Sequence, residues 1–375
     1  MGRAVQPTSG FHFARSGRIW RILLAALLFL GLSGVDTRLK ATPQLPPAPA
    51  AEPRVRFTAL PQPPATLQAE ISALAAGYGE PVGVAVMDVR DGWIAQVSGD
   101  VEFPQQSVSK VWAALTLLDQ VDRGAWRLQD PVVMRVEDLS VFFQPIYGRY
   151  GPDGYATTLD DLLSRALIES DNAAADRLVR QVGGAQVIQR TLARKGIYGV
   201  RAGGEERELQ SRIAGLTWRP DYGLGGGFKA ARARLTPAVR DAALEAYLAQ
   251  PPDGATPMAI VRALAALQRG ELLSQQSTRR LVDLMAQATT GPRRLKGGLP
   301  PRWSIAHKTG TGPDWRGASV GINDVGLVTA PDGRVYALAV LIRRAARPVP
   351  ERLAFMQSIS QALVRYWENE VEPPY

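Results

Sequence analysis

Apolar positions recur along this chain at two spacings, and the order in which they alternate predicts its architecture. Val82 to Asp88 and Trp93 to Val97 are β-rich runs on either side of Asp91-Gly92, a hairpin signal. From Val108 to Val121 the spacing becomes helical, with Val111, Ala114, Leu115, Leu118 and Val121 on one face. Leu159 to Ile168 and Ala173 to Val182 read as two helices separated by Ser170-Asp171-Asn172, and Pro257 to Leu267 and Ser277 to Met285 read as two more. Strands return at Trp303 to Lys308, Ala318 to Thr329 and Val335 to Ile342, the last pair joined through Pro331-Asp332-Gly333. A helix capped by Thr66 precedes the first strand, and another from Pro350 to Trp367 follows the last. Strands at both ends with helices between them predict an α+β fold: one antiparallel sheet built from both chain termini and packed against helices, plus an all-helical subdomain.

Ahead of that domain the pattern is different. Arg15, Arg18 and Arg21 precede Ile22 to Val35, an uncharged apolar run shorter than the roughly 20 residues that span a bilayer. Residues 1–40 therefore read as a signal peptide or N-terminal anchor, which predicts export to the periplasm, with inner-membrane anchoring through 22–35 if the run is retained. Residues 41–65 are Pro-rich, a polyproline-like linker, and the folded domain is expected over 66–375.

The formal net charge of +9 changes meaning once it is divided. Arg3, Arg15, Arg18, Arg21, Arg38 and Lys40 stand against Asp36 in the first forty residues, so more than half of the excess sits in the leader. The remainder is a solvated-surface value, and no nucleic-acid partner is expected. The chain has no Cys, which removes disulfides, thiolate metal sites and thiol nucleophiles. With only His12 and His307 present, a hydrolase of this sequence must move protons with Lys or Glu. No metal or cofactor is implied, and the chain is read as a monomer acting on a small molecule.

Ser107-Val108-Ser109-Lys110 opens a predicted helix, so the hydroxyl and the amine three residues apart share a face. A desolvated Lys can serve as base toward a serine nucleophile, and the helix N-terminus suits a developing oxyanion. Ser170-Asp171-Asn172 lies at a helix junction, where capping alone would account for it. Lys308-Thr309-Gly310-Thr311-Gly312 ends a predicted strand, where a turn would account for it. Chance readily supplies any one of these motifs; it does not readily supply all three in this order and in these settings.

Together they resemble the serine β-lactamases and penicillin-binding proteins. The resemblance runs from about Thr66 to Trp367, and local details point to class A β-lactamases: Phe103-Pro104, Thr256-Pro257-Met258, Gly270-Glu271-Leu272-Leu273-Ser274 and Leu299-Pro300. It implies hydrolysis of β-lactams with Ser107 as nucleophile and Lys110, Ser170, Glu206 and Lys308 as its catalytic partners. It also implies that Asn172, Thr309, Thr311, Arg294 and Gln210 bind substrate. Glu206 is selected over Glu205 because Glu208, Leu209 and Gln210 follow it in the register of the family's water-activating loop, although that pattern has Asn where this chain has Gln210. Arg294 is the alternative carboxylate-binding Arg, since Asn323-Asp324-Val325-Gly326 offers none. Phe142 falls near where the family has an aromatic at the pocket rim, although an aromatic there reads first as core, and His307 should point away from the site. The stretch 211–255 is an insertion of unassigned role. A peptidoglycan DD-carboxypeptidase, which would lack the water-activating Glu, is the alternative reading.

Overall fold

The computed structural model describes residues 61–371; the leader and most of the Pro-rich linker lie outside the described residues. Five long strands build the main sheet: β1 (Val82–Asp88), β2 (Ile94–Val97), β3 (Ser304–Thr311), β4 (Ala318–Thr329) and β5 (Val335–Ala345). They are antiparallel in the order β2-β1-β5-β4-β3, and a short strand at Asp314–Trp315 extends β4. The two ends of the domain meet in the pairing of β1 with β5, where Val84 lies opposite Val340 and Val86 opposite Leu338.

Both faces of this sheet are covered, which is why β1 reads as an unbroken apolar run. Val84, Val86, Leu338 and Val340 face the two terminal helices, Ala65–Tyr78 and Val349–Tyr366. Tyr78 and Phe355 stack between those helices at 4.4 Å. The alternate residues Ala85, Met87, Ala337, Ala339 and Leu341 face the second core, which includes the helix Pro257–Gln268. That core continues into the helical subdomain, whose centre is Lys110–Asp122. Every residue of this helix from Lys110 to Asp119 is buried, so it is enclosed by its neighbours rather than laid on a surface.

The predicted α+β architecture is therefore present, with local corrections. The first helix starts at Ala65 with Pro64 at its N-cap, so Thr66 lies inside the first turn. The Val108 helix begins as a 3₁₀ turn, Gln106–Ser109, before becoming α-helical at Lys110. The Leu159 helix is α-helical only to Ser164 and then widens into a π turn, Arg165–Glu169, that delivers Ser170 in a left-handed conformation (φ 64°). β3 runs through Lys308 to Thr311, so the lysine is mid-strand rather than at its end. Thr236 does cap a helix, Pro237–Ala249, within the inserted stretch. No helix among the described residues is long and apolar enough to cross a membrane.

Candidate active site

The sheet and the helical subdomain meet where β3 presses against the Gln106–Ser109 turn. Gly310 makes the approach possible: a Cβ there would come within 2.3 Å of the Gln105 carbonyl oxygen. Asn323 on β4 ties the same turn down by donating to the carbonyls of Pro104 and Gln105 at 2.7 and 2.9 Å.

Gln106, just before the nucleophile position, has φ 53°. A bulky residue in this region costs on the order of 1–3 kcal/mol, so its surroundings must hold it there. Asp253 Oδ2 accepts the Gln106 backbone N–H at 2.7 Å. The Gln106 side chain donates to Tyr247 at 2.6 Å and accepts from Gln210 at 2.8 Å. Tyr247 in turn donates to Asp253 at 2.9 Å. Burial pushes the Asp253 carboxyl up to about 6 despite these hydrogen bonds.

Lys110 is the hub of the cleft. Its ammonium donates to Ser107 Oγ at 3.0 Å, Asn172 Oδ1 at 2.6 Å and the Ser170 carbonyl at 2.9 Å, with Ser170 Oγ at 3.2 Å. Glu206 Oε1 lies 3.4 Å away. Ser107 donates its own hydroxyl proton to that oxygen at 3.2 Å, so hydroxyl, ammonium and carboxylate form a closed triangle. Burial alone would raise the Glu206 carboxyl. The charge of Lys110 and hydrogen bonds from Gln210, Ser107 and Lys110 outweigh it and hold the group below its usual range.

Glu206 is not on an irregular loop, as the family pattern suggests, but is the first residue of a helix, Glu206–Ile213. Asp176 explains the difference: its carboxylate accepts the backbone N–H groups of both Glu206 and Arg207, capping the helix from a distant part of the chain. Acidic side chains in the first turn also suit the helix dipole. Glu205 turns the other way and pairs with Arg180 and Arg207, which separates it from the cleft. Burial pushes Asp176 up to about 7; its hydrogen bond from Ser140 works against this, and the charges of Glu205 and Glu206 add to it.

Ser170-Asp171-Asn172 serves as a cap and as part of the site at once. Asp171 caps the helix Asn172–Gln181 by accepting from Ala174 N at 2.9 Å, and it also accepts from Ile146 N at 2.7 Å. That leaves Ser170 and Asn172 to face Lys110. On the opposite wall Lys308 donates to Ser170 Oγ at 2.9 Å. Burial, reinforced by the charge of Lys110, drives the Lys308 ammonium well below the ordinary lysine range. Arg294 donates to the carbonyls of Gly310 and Asn323 at 3.0 and 2.7 Å and to Thr311 Oγ1. These partners are neutral; burial works against the guanidinium charge and Asp324 partly offsets it. Thr309 shares a hydrogen bond with Thr290 at 2.7 Å.

A cavity of about 330 Å³ unites the predicted residues: Ser107, Ser170, Asn172, Glu206, Gln210, Arg294, Thr309 and Thr311 line it, and Lys110 and Lys308 lie directly beneath. Phe142 is at its rim, half-exposed. His307 points into the opposite core and meets Asp324 at 2.8 Å. Sequence reasoning missed Gln106, Tyr247, Asp253 and Asp176. Asp176 stands four residues after Asn172 on the same helix face, a spacing that could have revealed it. Tyr247 and Asp253 belong to the inserted stretch and carry no motif.

Residues 66–367 match the family model described as the beta-lactamase enzyme family. The β-lactamase VEB-1 of Pseudomonas aeruginosa is 25% identical over 77% of this chain and 86% of its own length. The extended-spectrum β-lactamase PER-1 from the same organism is 27% identical over 80% and 87%. Among solved structures, a variant of the last common ancestor of Gram-negative bacterial class A β-lactamases is 28% identical and superposes with a TM-score of 0.63. The match covers 81% of this chain and 98% of that one. With the three motifs joined in one cleft and the family matched across the domain, the chain belongs to the β-lactamase enzyme family and is a class A serine β-lactamase, a hydrolase of β-lactams.

Proposed function

We propose that hydrolysis runs through an acyl-enzyme on Ser107, with Glu206 as the base of both half-reactions. The observation that carries this is the Ser107 hydroxyl, which donates to the Glu206 carboxylate at 3.2 Å while accepting from Lys110. Lys110 only donates to the Ser107 hydroxyl, whereas Glu206 Oε1 is the oxygen toward which that hydroxyl is directed, so the carboxylate is the proton acceptor within reach. Ser107 Oγ attacks the lactam carbonyl carbon as its proton passes to Glu206. The backbone N–H groups of Ser107 and Thr311 take the oxyanion. Ser170 then gives its proton to the departing ring nitrogen and regains one through Lys110, which Glu206 can resupply.

In the second half Glu206 removes a proton from water, which attacks the ester, and returns that proton to Ser107 Oγ as the ester bond breaks. Gln210 donates to Glu206 Oε2 at 3.1 Å, and its own Oε1 is buried without a protein partner. It thus offers an acceptor beside the base, the role assigned to the family's Asn. Asn172 holds the substrate amide, and Lys308, Thr309, Thr311 and Arg294 take its carboxylate. A carboxypeptidase that forms a lasting penicillin adduct would have no use for this buried Glu, so the arrangement weighs against that alternative. We further propose that the protein works in the periplasm, on the strength of its basic, apolar leader.

Incubating the full chain with a chromogenic cephalosporin and benzylpenicillin, with intact mass recorded alongside turnover, tests the scheme. Hydrolysis without a persistent adduct is the expected result. A stoichiometric, long-lived adduct on Ser107 would overturn the deacylation step.

A further inference from the structure

Phe142 and Phe143 each line two cavities. One is the catalytic cleft; the other, of about 680 Å³, shares these two aromatics with it, and the rest of its lining includes Tyr222, Phe228 and Arg232 from the inserted stretch. We propose that this second cavity is a side-chain subsite of the active site, shaped for a β-lactam whose acyl side chain carries both an aryl ring and a carboxylate. The inference rests on the β-lactam reading of the Ser107 cleft and adds to it a substrate class.

The position of the shared wall is fixed from the catalytic side. Asn172, assigned to the substrate amide, donates its backbone N–H to the Phe143 carbonyl at 2.9 Å and its side chain to the Val141 carbonyl at 2.8 Å. Both neighbours of Phe142 are thereby tied to Asn172, and Phe142 between them is held at φ 60°, a conformation rare for an aromatic residue. The substituent on that amide therefore begins beside Phe142 and Phe143, which expose 48% and 57% of their surface. Exposed aromatic area of this kind, next to a binding cleft, is the expected form of a ligand wall.

The inserted stretch completes the far side and is seated on the rim by close packing. A Cβ on Gly223 would stand 2.9 Å from Leu139 Cβ, and Gln144 donates to the Gly223 carbonyl at 3.1 Å. Phe228 meets Phe142 edge-on at 5.2 Å, and Tyr222 lies 5.9 Å from Phe228. The cavity is thus bordered by the exposed Phe142 ring, which Phe228, itself buried, supports from behind.

Arg232 supplies the charge preference. Its guanidinium lies 5.4 Å from the Phe142 ring and 5.6 Å from the Phe228 ring. Its Nε is buried without a hydrogen-bond partner, and among the described residues no carboxylate lies within ion-pair distance of it. Burial and then the charge of Arg240 disfavour its cation, and Asp314 offsets this only from a longer range. Arginine nevertheless keeps its proton in proteins, so the cavity holds a partly desolvated, unpaired cation with a free donor. A ligand carboxylate provides the missing partner.

The test uses two substrates that differ by one group: benzylpenicillin and its derivative carboxylated at the carbon bearing the phenyl ring. kcat and KM are measured for wild type, Arg232→Gln, Arg232→Lys and Phe228→Leu, with thermal unfolding of each recorded to exclude loss of fold. Arg232→Gln is expected to lower kcat/KM for the carboxylated substrate about tenfold, mainly through KM, while benzylpenicillin changes less than about twofold. Arg232→Lys should restore part of the loss, and Phe228→Leu should raise KM for both aryl substrates. Equal effects of Arg232→Gln on the two penicillins would overturn the subsite alone. Failure of wild type to hydrolyse either one would overturn the catalytic reading and this inference with it.

Discussion

Lys308 Nζ donates to Ser170 Oγ across 2.9 Å, joining residues 138 positions apart in the chain. The contact places a hydroxyl between two amines, since Lys110 reaches the same oxygen at 3.2 Å. A hydroxyl so placed can release its proton to the lactam nitrogen without a separate charge being created in the cleft. Ser170 is also in the left-handed region, so glycine can replace it without backbone strain. Ser170→Gly should therefore unfold at or above the wild-type temperature yet acylate about a hundredfold or more slowly, within the range of general acid catalysis. Stopped-flow acylation with a chromogenic substrate measures this, and a near-wild-type rate would remove Ser170 from the proton path.

Glu206→Gln preserves the shape of the side chain and its contact with Gln210 but removes the base. Lys110, in contact with Ser107 Oγ, remains to assist acylation but not the attacking water, so acyl-enzyme should accumulate and be visible by intact mass, with deacylation slowed by about two to four orders of magnitude. Turnover at the wild-type rate would exclude Glu206 from the mechanism.

Lys308 is buried near Lys110, and its proton is held less tightly than the ordinary value of 10.5. In the proposed scheme its charge takes the substrate carboxylate, so kcat/KM should decline as pH rises through its lowered pKa. Arginine does not lose its proton in this range, and Lys308→Arg should move that alkaline limb upward. A pH–rate profile that keeps the same alkaline limb in the variant would show that another group sets it.

Asp176 and Asp253 have pKa values raised to about 7 and about 6 in the folded protein, above the aspartate value of 3.8. The folded state thus binds protons that the unfolded chain has already released. Stability should decrease as pH rises from about 4 to about 7, the slope being negative wherever the unfolded state holds fewer protons. Denaturant unfolding at a series of pH values gives the sign directly. Stability that rises across this window would mean these carboxyls are ionised in the fold.

Tyr247→Phe leaves Gln106 Nε2 and Asp253 without their shared hydroxyl, and the loss should be about 1–3 kcal/mol of stability. Because Gln106 also accepts from Gln210, which donates to Glu206, deacylation should slow more than acylation in this variant. Equal slowing of both steps would indicate a structural role only.

The candidate residues for chemistry were legible before the fold because chemistry constrains residue type at short range. Ser107 and Lys110 must share a helix face, the Ser170–Asn172 turn must cap a helix and face the base, and strands announce themselves by apolar runs. The sequence by itself therefore determined the α+β class and the order of the main strands and their flanking helices, and through the family resemblance it named ten candidate residues, Glu206 among them in preference to Glu205. Only the tertiary structure decided what holds those residues in place. Glu206 opens a helix because Asp176, thirty positions away, accepts its backbone N–H. Gln106 keeps a strained backbone because Asp253 and Tyr247 fold back onto it. The role of the inserted stretch emerged only when Phe228 and Arg232 were found against Phe142. Such contacts depend on burial and on charges brought together from distant segments, and no local spacing encodes them.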